Sequence, residues 1–132
     1  ELEIDKRLYL RTFHLNHYEV KSRRIKIIHQ YLQKNYSKRI TVGEVAKLIN
    51  MTESGVGHFF KKRTQKSFID FLNDLRVGEA ARMLLETTNT ISEISYNCGF
   101  NNISNFNRIF KKKKGSTPTD YRERNMNKMT IY

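Results

Sequence analysis

A short block of this chain occurs twice. Thr41-Val42-Gly43-Glu44-Val45-Ala46 returns as Thr90-Ile91-Ser92-Glu93-Ile94-Ser95. Val56-Gly57-His58-Phe59-Phe60-Lys61-Lys62 returns as Phe106-Asn107-Arg108-Ile109-Phe110-Lys111-Lys112, and Asp70-Phe71 as Asp120-Tyr121. Each copy reads as a helix, a turn and a second helix ending in lysines. Units this small bury too little apolar surface to be stable alone, so the 132 residues make one domain or two helical units sharing a continuous core.

The local signals repeat as well. Thr41 and Thr90 each stand three residues ahead of a glutamate, the capping-box spacing in which hydroxyl and carboxylate satisfy exposed backbone donors at a helix start. Val42, Val45, Leu48 and Ile49 make one buried stripe, and Asn50 and Gly99 tolerate the left-handed backbone that ends a helix. Thr52, and Asn101 or Asn102, are candidate caps for the second helix of each unit. On a helical wheel Val56, Phe59 and Phe60 turn inward, as do Phe106, Ile109 and Phe110.

Between the copies, Ser67 to about Glu86 reads as one long helix with Phe68, Phe71, Leu72, Leu75, Met83 and Leu84 on its buried side. Gly78 weakens it by about 1 kcal/mol relative to alanine. At roughly 1.5 Å per residue it is about 30 Å long, close to the roughly 34 Å between successive major-groove faces on one side of B-DNA. Gly115 stops the helix before it, and Thr117-Pro118 opens a short last helix through Arg122. Ahead of the repeats, Ser22 is positioned to cap a helix over 23–36 carrying Ile25, Ile28 and Leu32 inward. The expected fold class is all-α, with two helix-turn-helix subdomains joined by a long central helix. Its expected layout is 1–21 linker or tail from a domain outside this chain, 22–66 first subdomain, 67–87 connecting helix, 88–125 second subdomain and 126–132 disordered tail.

Lysine and arginine number 25 against 13 acidic residues, a net charge of +12. A repulsive surface of that size on a small body is costly unless a polyanion takes it up. Cys98 is alone and cannot form an internal disulfide; His14, His17, His29 and His58 lack zinc-ligand spacing, and no cofactor motif is present. A reducing cytosol is the expected setting. No apolar run approaches the roughly 20 residues of a membrane span, and no signal peptide is evident, so no membrane partner is expected. The first residue is Glu1 rather than methionine, which points to a longer protein. Paired carboxylates, a nucleophile with an adjacent base and a glycine-rich phosphate loop are all missing, which argues against an enzyme.

Opposite the inward faces lie Ser54, Gly57, His58 and Lys61 in the first copy and Ser104, Asn107, Arg108 and Lys111 in the second. A guanidinium can bridge the two acceptors of guanine in the major groove, and a carboxamide the acceptor and donor of adenine. Arg108 and Asn107 are thus the best base readers; an arginine so placed serves a base edge or a phosphate, and His58 has the same choice. Base-contact candidates are Ser54, Gly57, His58, Ser104, Asn107 and Arg108. Phosphate-contact candidates are Thr52, Lys61, Lys62, Lys66, Asn101, Asn102, Lys111, Lys112 and Lys113. Gly55 and Gly57 cost about 1 kcal/mol each inside a helix and remove side chains from the reading face. Either that helix approaches the DNA backbone closely and adds mainly affinity, or it is loose when free and firms up on DNA. A basic helical adaptor for an acidic protein partner, or an RNA binder, remains the alternative, although no strand platform with paired aromatics is visible.

These residues also resemble a known family. The segment from Ile40 to Arg122 is similar to the DNA-binding domain of AraC/XylS-type bacterial transcription regulators. The likeness is carried by Ile40-Thr41-Val42-Gly43-Glu44-Val45-Ala46, Phe59-Phe60-Lys61-Lys62, Phe68-Ile69-Asp70-Phe71-Leu72, Leu75-Arg76 with Ala80, and Ile91-Ser92-Glu93-Ile94. It continues through Cys98-Gly99-Phe100, Phe106-Asn107-Arg108-Ile109-Phe110-Lys111, Gly115-Ser116-Thr117-Pro118 and Tyr121-Arg122. The resemblance implies a seven-helix domain whose two helix-turn-helix motifs bind adjacent major grooves of double-stranded DNA and alter transcription of nearby promoters. It also implies RNA polymerase as a partner, and a sensing or dimerising domain on a missing N-terminal part. Carried over by position, the groove-facing residues are Ser54, Gly57 and His58 in the first motif and Ser104, Asn107 and Arg108 in the second. The departure from the family's pattern is at Gly55 and Gly57, where relatives usually carry larger side chains.

Overall fold

A computed structural model describes the backbone of residues 6–129 and the side chains of residues 20–126. Among the described residues there are seven helices and no strand: α1 (Lys6–Asn35), α2 (Val42–Leu48), α3 (Glu53–Thr64), α4 (Phe68–Glu86), α5 (Ile91–Asn97), α6 (Ile103–Lys114) and α7 (Pro118–Met129). The α2–α3 pair and the α5–α6 pair are the two helix-turn-helix units, and α4 joins them.

The expected punctuation is where the helices begin and end. Thr41, Thr52, Ser67, Thr90 and Asn102 are N-caps whose side-chain oxygens accept from the backbone N–H three residues on, at 3.0–3.2 Å. Thr117 does the same for Asp120, ahead of Pro118 at the first position of α7. The capping box of α2 is only half realised: the Glu44 carboxylate accepts from the Tyr31 hydroxyl at 2.9 Å, tying α2 to α1. Asn50 (φ 55°), Gly99 (φ 91°) and Gly115 (φ 81°) take the left-handed backbone. Gln65 (φ 64°) is the counterpart of Gly115 and went unanticipated, because glutamine carries no turn signal.

Two cores follow. Ile28, Leu32, Val45, Ile49, Val56, Phe60, Phe68 and Leu72 make the first; Val77, Ala80, Ala81, Leu84, Ile94, Cys98, Phe100, Phe106, Ile109 and Phe110 make the second. Helix α4 serves both, its first half on one and its second half on the other. For that reason Val77, Ala80 and Ala81 are buried although a single-stripe reading of α4 leaves them outside. Cys98 lies in the second core, and burial pushes its thiol up to about 11, with the Glu79 charge adding to the shift.

Two arginines close the structure. Arg76 of α4 donates to the Tyr36 and Lys38 carbonyls, each at 2.9 Å, and its guanidinium lies 6.0 Å from the centre of the Phe100 ring. Arg122 of α7 donates to the carbonyls of Leu84 (2.9 Å), Asn89 (2.7 Å) and Thr87 (3.2 Å). Each cation satisfies carbonyls of the chain just after a helix ends, with the Leu84 carbonyl in the last turn of α4 among them.

Two expectations are corrected at the ends of the chain. Helix α1 begins at Lys6, so Ser22 is an exposed mid-helix residue instead of a cap, and the described part of the 1–21 stretch is helical. Helix α7 continues past Arg122 to Met129, through residues 126–129 that were expected to be disordered; residues 1–5 and 130–132 lie outside the described ones.

The two glycines at the junction of the cores should behave oppositely. A Cβ on exposed Gly78 would meet nothing within 4 Å, so Gly78→Ala is expected to raise stability by about 1 kcal/mol. Gly99 combines a left-handed φ with a Cβ position that runs into the Tyr36 carbonyl oxygen and comes within 2.9 Å of Arg76 Nε. Gly99→Ala should lose at least about 2 kcal/mol. Urea unfolding midpoints check both, and equal shifts in the same direction would contradict the packing described.

Candidate nucleic-acid interface

Helices α3 and α6 are both twelve residues long and correspond at an offset of fifty. Val56 and Phe60 in α3, and Phe106, Ile109 and Phe110 in α6, are buried, so the hydrophobic wheel fixes which face remains outside; Phe59 is only half-buried. On that outer face Ser54, Gly57, His58, Ser104, Asn107 and Arg108 are all exposed. The exposed side chains in α6 are the richer set of donors and acceptors.

The Arg108 guanidinium is held by its neighbour. Its Nη2 donates to Asn105 Oδ1 at 2.8 Å, one turn back on the same helix face. Asn105 is thus an orienting residue that the sequence reading did not assign; its signal was the three-residue spacing to Arg108. The corresponding residue in α3 is Gly55, so His58 has no such neighbour. A Cβ at Gly55 would lie 3.0 Å from Thr52 Oγ1 and 3.4 Å from Met51 Cε, a tight fit that those side chains would have to yield to. Gly57 faces open space, with nothing within 4 Å of a built Cβ. Helix α3 runs continuously across both glycines and is capped at both ends.

The basic residues divide into two groups. Lys61, Lys62, Lys111 and Lys112 are exposed in the last turns of α3 and α6, favourable positions for cations against the helix dipole and free to reach phosphate. Lys66 and Lys113 turn the other way, onto α4. Lys113 Nζ lies 2.7 Å from Asp70 Oδ1 and 2.6 Å from Asp74 Oδ1, and Lys66 pairs with the other oxygen of Asp74. Burial alone would raise the Asp74 carboxyl, but the hydrogen bonds and charges of Lys113 and Lys66 outweigh it and hold the group below its ordinary value. Likewise burial would lower the Lys113 ammonium, and the two carboxylates raise it above the usual lysine range. The sequence reading missed these partners, which lie 43 and 39 positions away in the chain for Lys113.

Thr52 and Asn102 spend their side-chain oxygens as caps, while Asn101 is exposed at the entrance to α6. Asn101 also lines an open cleft of about 560 Å³ between the two units, with Lys38, Arg39, Tyr96 and Asn97. Among the described residues no group of His, Cys, Asp or Glu is arranged to hold a metal, and no helix is long and apolar enough to cross a membrane.

A family model described as a helix-turn-helix domain matches residues 45–124. The chain is 36% identical over 92 residues to the HTH-type transcriptional regulator YobQ of Bacillus subtilis, covering 70% of this chain and 38% of that protein. This chain belongs to the AraC/XylS-type helix-turn-helix family. Its fold agrees with that assignment: the C-terminal domain of AraT, a response regulator from Geobacillus stearothermophilus, superposes with a TM-score of 0.72 at 32% identity, over 76% of this chain and 84% of that one. The DNA-binding domain of AdpA, solved in complex with a target DNA, shares the fold at a TM-score of 0.70 and 22% identity, over 73% of this chain and 86% of that one. An AraC/XylS-type domain is a DNA-binding module of a transcription regulator, and the two helix-turn-helix units described above are that module. The chain spans about a third to a half of the length of the curated relatives it matches.

From the difference between the two outer faces, Arg108→Ala should broaden the set of sequences recovered from a random duplex pool more than His58→Ala does. Asn105→Ala should produce a weaker version of the Arg108 effect. Equal broadening by Arg108→Ala and His58→Ala would count against the second unit as the principal reader.

Proposed function

We propose that the domain binds double-stranded DNA by seating α3 and α6 in successive major grooves on one side of the duplex, and that the whole protein regulates transcription from bacterial promoters in this way. The observation carrying this reading is the recurrence, fifty residues apart, of an exposed polar face followed by an exposed lysine pair, on two helices mounted on the same α4. That helix is 19 residues long, about 28 Å at the usual rise per residue, which suits adjacent grooves.

Within this reading the roles divide by chemistry. Arg108 and Asn107 read base edges, with Ser104 beside them; Ser54, Gly57 and His58 bring α3 against the duplex and contribute mainly affinity. Lys61, Lys62, Lys111 and Lys112 neutralise phosphates, and Asn101 meets the backbone at the start of α6. The Thr52 and Asn102 caps, with their hydroxyl and carboxamide at the helix mouths, present backbone N–H groups to phosphate. The remainder of a protein as long as the relatives carries a sensing or dimerising part, and RNA polymerase is its partner at the promoter. Such a protein works in the cytoplasm, at the nucleoid, as a non-enzymatic regulator.

Retention of a labelled duplex against unlabelled DNA, RNA and heparin tests the assignment. Specific duplex should survive an excess of RNA and random DNA, and affinity should fall roughly a thousandfold or more between 50 and 200 mM salt if six to ten phosphates are contacted. Preferential displacement by RNA, or a flat salt response, would favour an RNA or an acidic protein as the true partner.

A further inference from the structure

Helix α4 passes from one core to the other between Leu72 and Val77, and its one glycine, Gly78, sits just beyond that crossing. Glycine is the least costly place for a helix to flex. A small bend there would swing the second unit relative to the first and change the separation of α3 and α6. Lys113 spans this point. It belongs to α6, whose Phe106, Ile109 and Phe110 pack in the second core, yet its ammonium is held by Asp70 and Asp74 on the half of α4 that packs in the first. The Lys113 side chain is only 18% exposed, so the contact is partly shielded from solvent. On α4 the acidic pair also holds Lys66, so two lysines of the basic tracts are drawn away from the outer faces.

We propose that Lys113, gripped by Asp70 and Asp74, is a positioning residue that braces α6 against the first half of α4 and thereby sets the separation between the two DNA blocks the domain accepts. This rests on the two-groove reading above. The brace costs affinity and gains discrimination: Lys66 and Lys113 are withheld from phosphate, and in exchange the two reading helices keep one spacing. Arg76, which ties the end of α1 to Phe100, limits the same motion but carries no acidic partner, so the electrostatic part of the constraint lies with Lys113.

Duplexes selected from a random pool by the unaltered full chain, then altered by one base pair inserted or removed between the two blocks, test this directly. The unaltered chain should prefer the selected spacing. Lys113→Gln should reduce that preference by about two- to fivefold, the scale of an exposed to half-buried ion pair, with little change in salt slope; Lys113→Arg should preserve it. Asp70→Asn combined with Asp74→Asn should reduce the spacing preference to a similar degree while raising affinity for every duplex and steepening the salt slope by about one to two, because two lysines are released. Thermal unfolding of each variant confirms that it is folded under the assay conditions. An unchanged spacing preference in Lys113→Gln, with a salt slope shallower by about one, would make Lys113 a phosphate contact and overturn the inference while leaving the two-groove reading intact. Failure of the unaltered chain to select any duplex would overturn both.

Discussion

One helix has to bury itself against two cores at once, and the rest of the molecule is arranged around that requirement. Each core holds ten buried residues even with those that α4 contributes, too few for either unit to be stable alone. Helix α4 resolves this by lending Phe68 and Leu72 to one cluster and Val77, Ala80, Ala81 and Leu84 to the other. Alanines at 80 and 81 keep the buried face of α4 low in the second core, where a larger side chain would hold the helices packed on it off. Arg76 sits at the crossing, half-buried, and desolvation lowers its pKa. Taking a guanidinium out of water is tolerable here because it donates to two carbonyls in the turn that follows α1 and lies against Phe100 of the other unit. Arg122 repeats the device one unit later, closing the end of α4 before α5 begins.

What could be read in advance was what is local. A threonine three residues ahead of a glutamate, a glycine or asparagine after an apolar stripe, and a threonine before proline each act within one turn of helix, so residue identity alone places them. The inward faces of α3 and α6 were legible for the same reason, since period follows from burial on one side. The course of residues 6–24 was not legible, because the apolar period in the sequence begins only at Ile25, Ile28 and Leu32. Val77, Ala80 and Ala81 were hidden by the same logic in reverse, as two stripes on one helix blur into none. Arg76 and Arg122 stood inside segments that mark the family, yet their work is done on carbonyls 33 to 40 positions away, which no window along the chain contains.

The candidate interface shows the same division between local and distant. Outer-face residues follow from the wheel, and all six proposed to meet bases are exposed. The lysine runs do not sort themselves by sequence: Lys111, Lys112 and Lys113 look alike in a row, but successive positions on a helix point about 100° apart. Lys113 therefore faces α4 when its two neighbours face outward. A run of like charges is in this sense two populations, one that holds the fold and one available to a polyanion, and only the packing of α6 decides which is which.

The asymmetry between the two units follows from a choice made at their first turns. In α6 the cap is Asn102 and the third helical residue, Asn105, can keep a side chain, which then steadies Arg108 at 2.8 Å. In α3 the cap is Thr52, and the third helical residue is Gly55, which has no side chain to support His58. Gly57 then removes the next side chain on the same face although space is open there, so the outer face of α3 is bare backbone where α6 carries Asn107. A close backbone contributes binding energy that does not depend on base identity, whereas a steadied guanidinium contributes energy that does. The repeat in the sequence thus encodes two helices of the same length with unequal outer faces: α3 exposes Ser54, Gly57 and His58, and α6 exposes Ser104, Asn107 and an Arg108 held by Asn105.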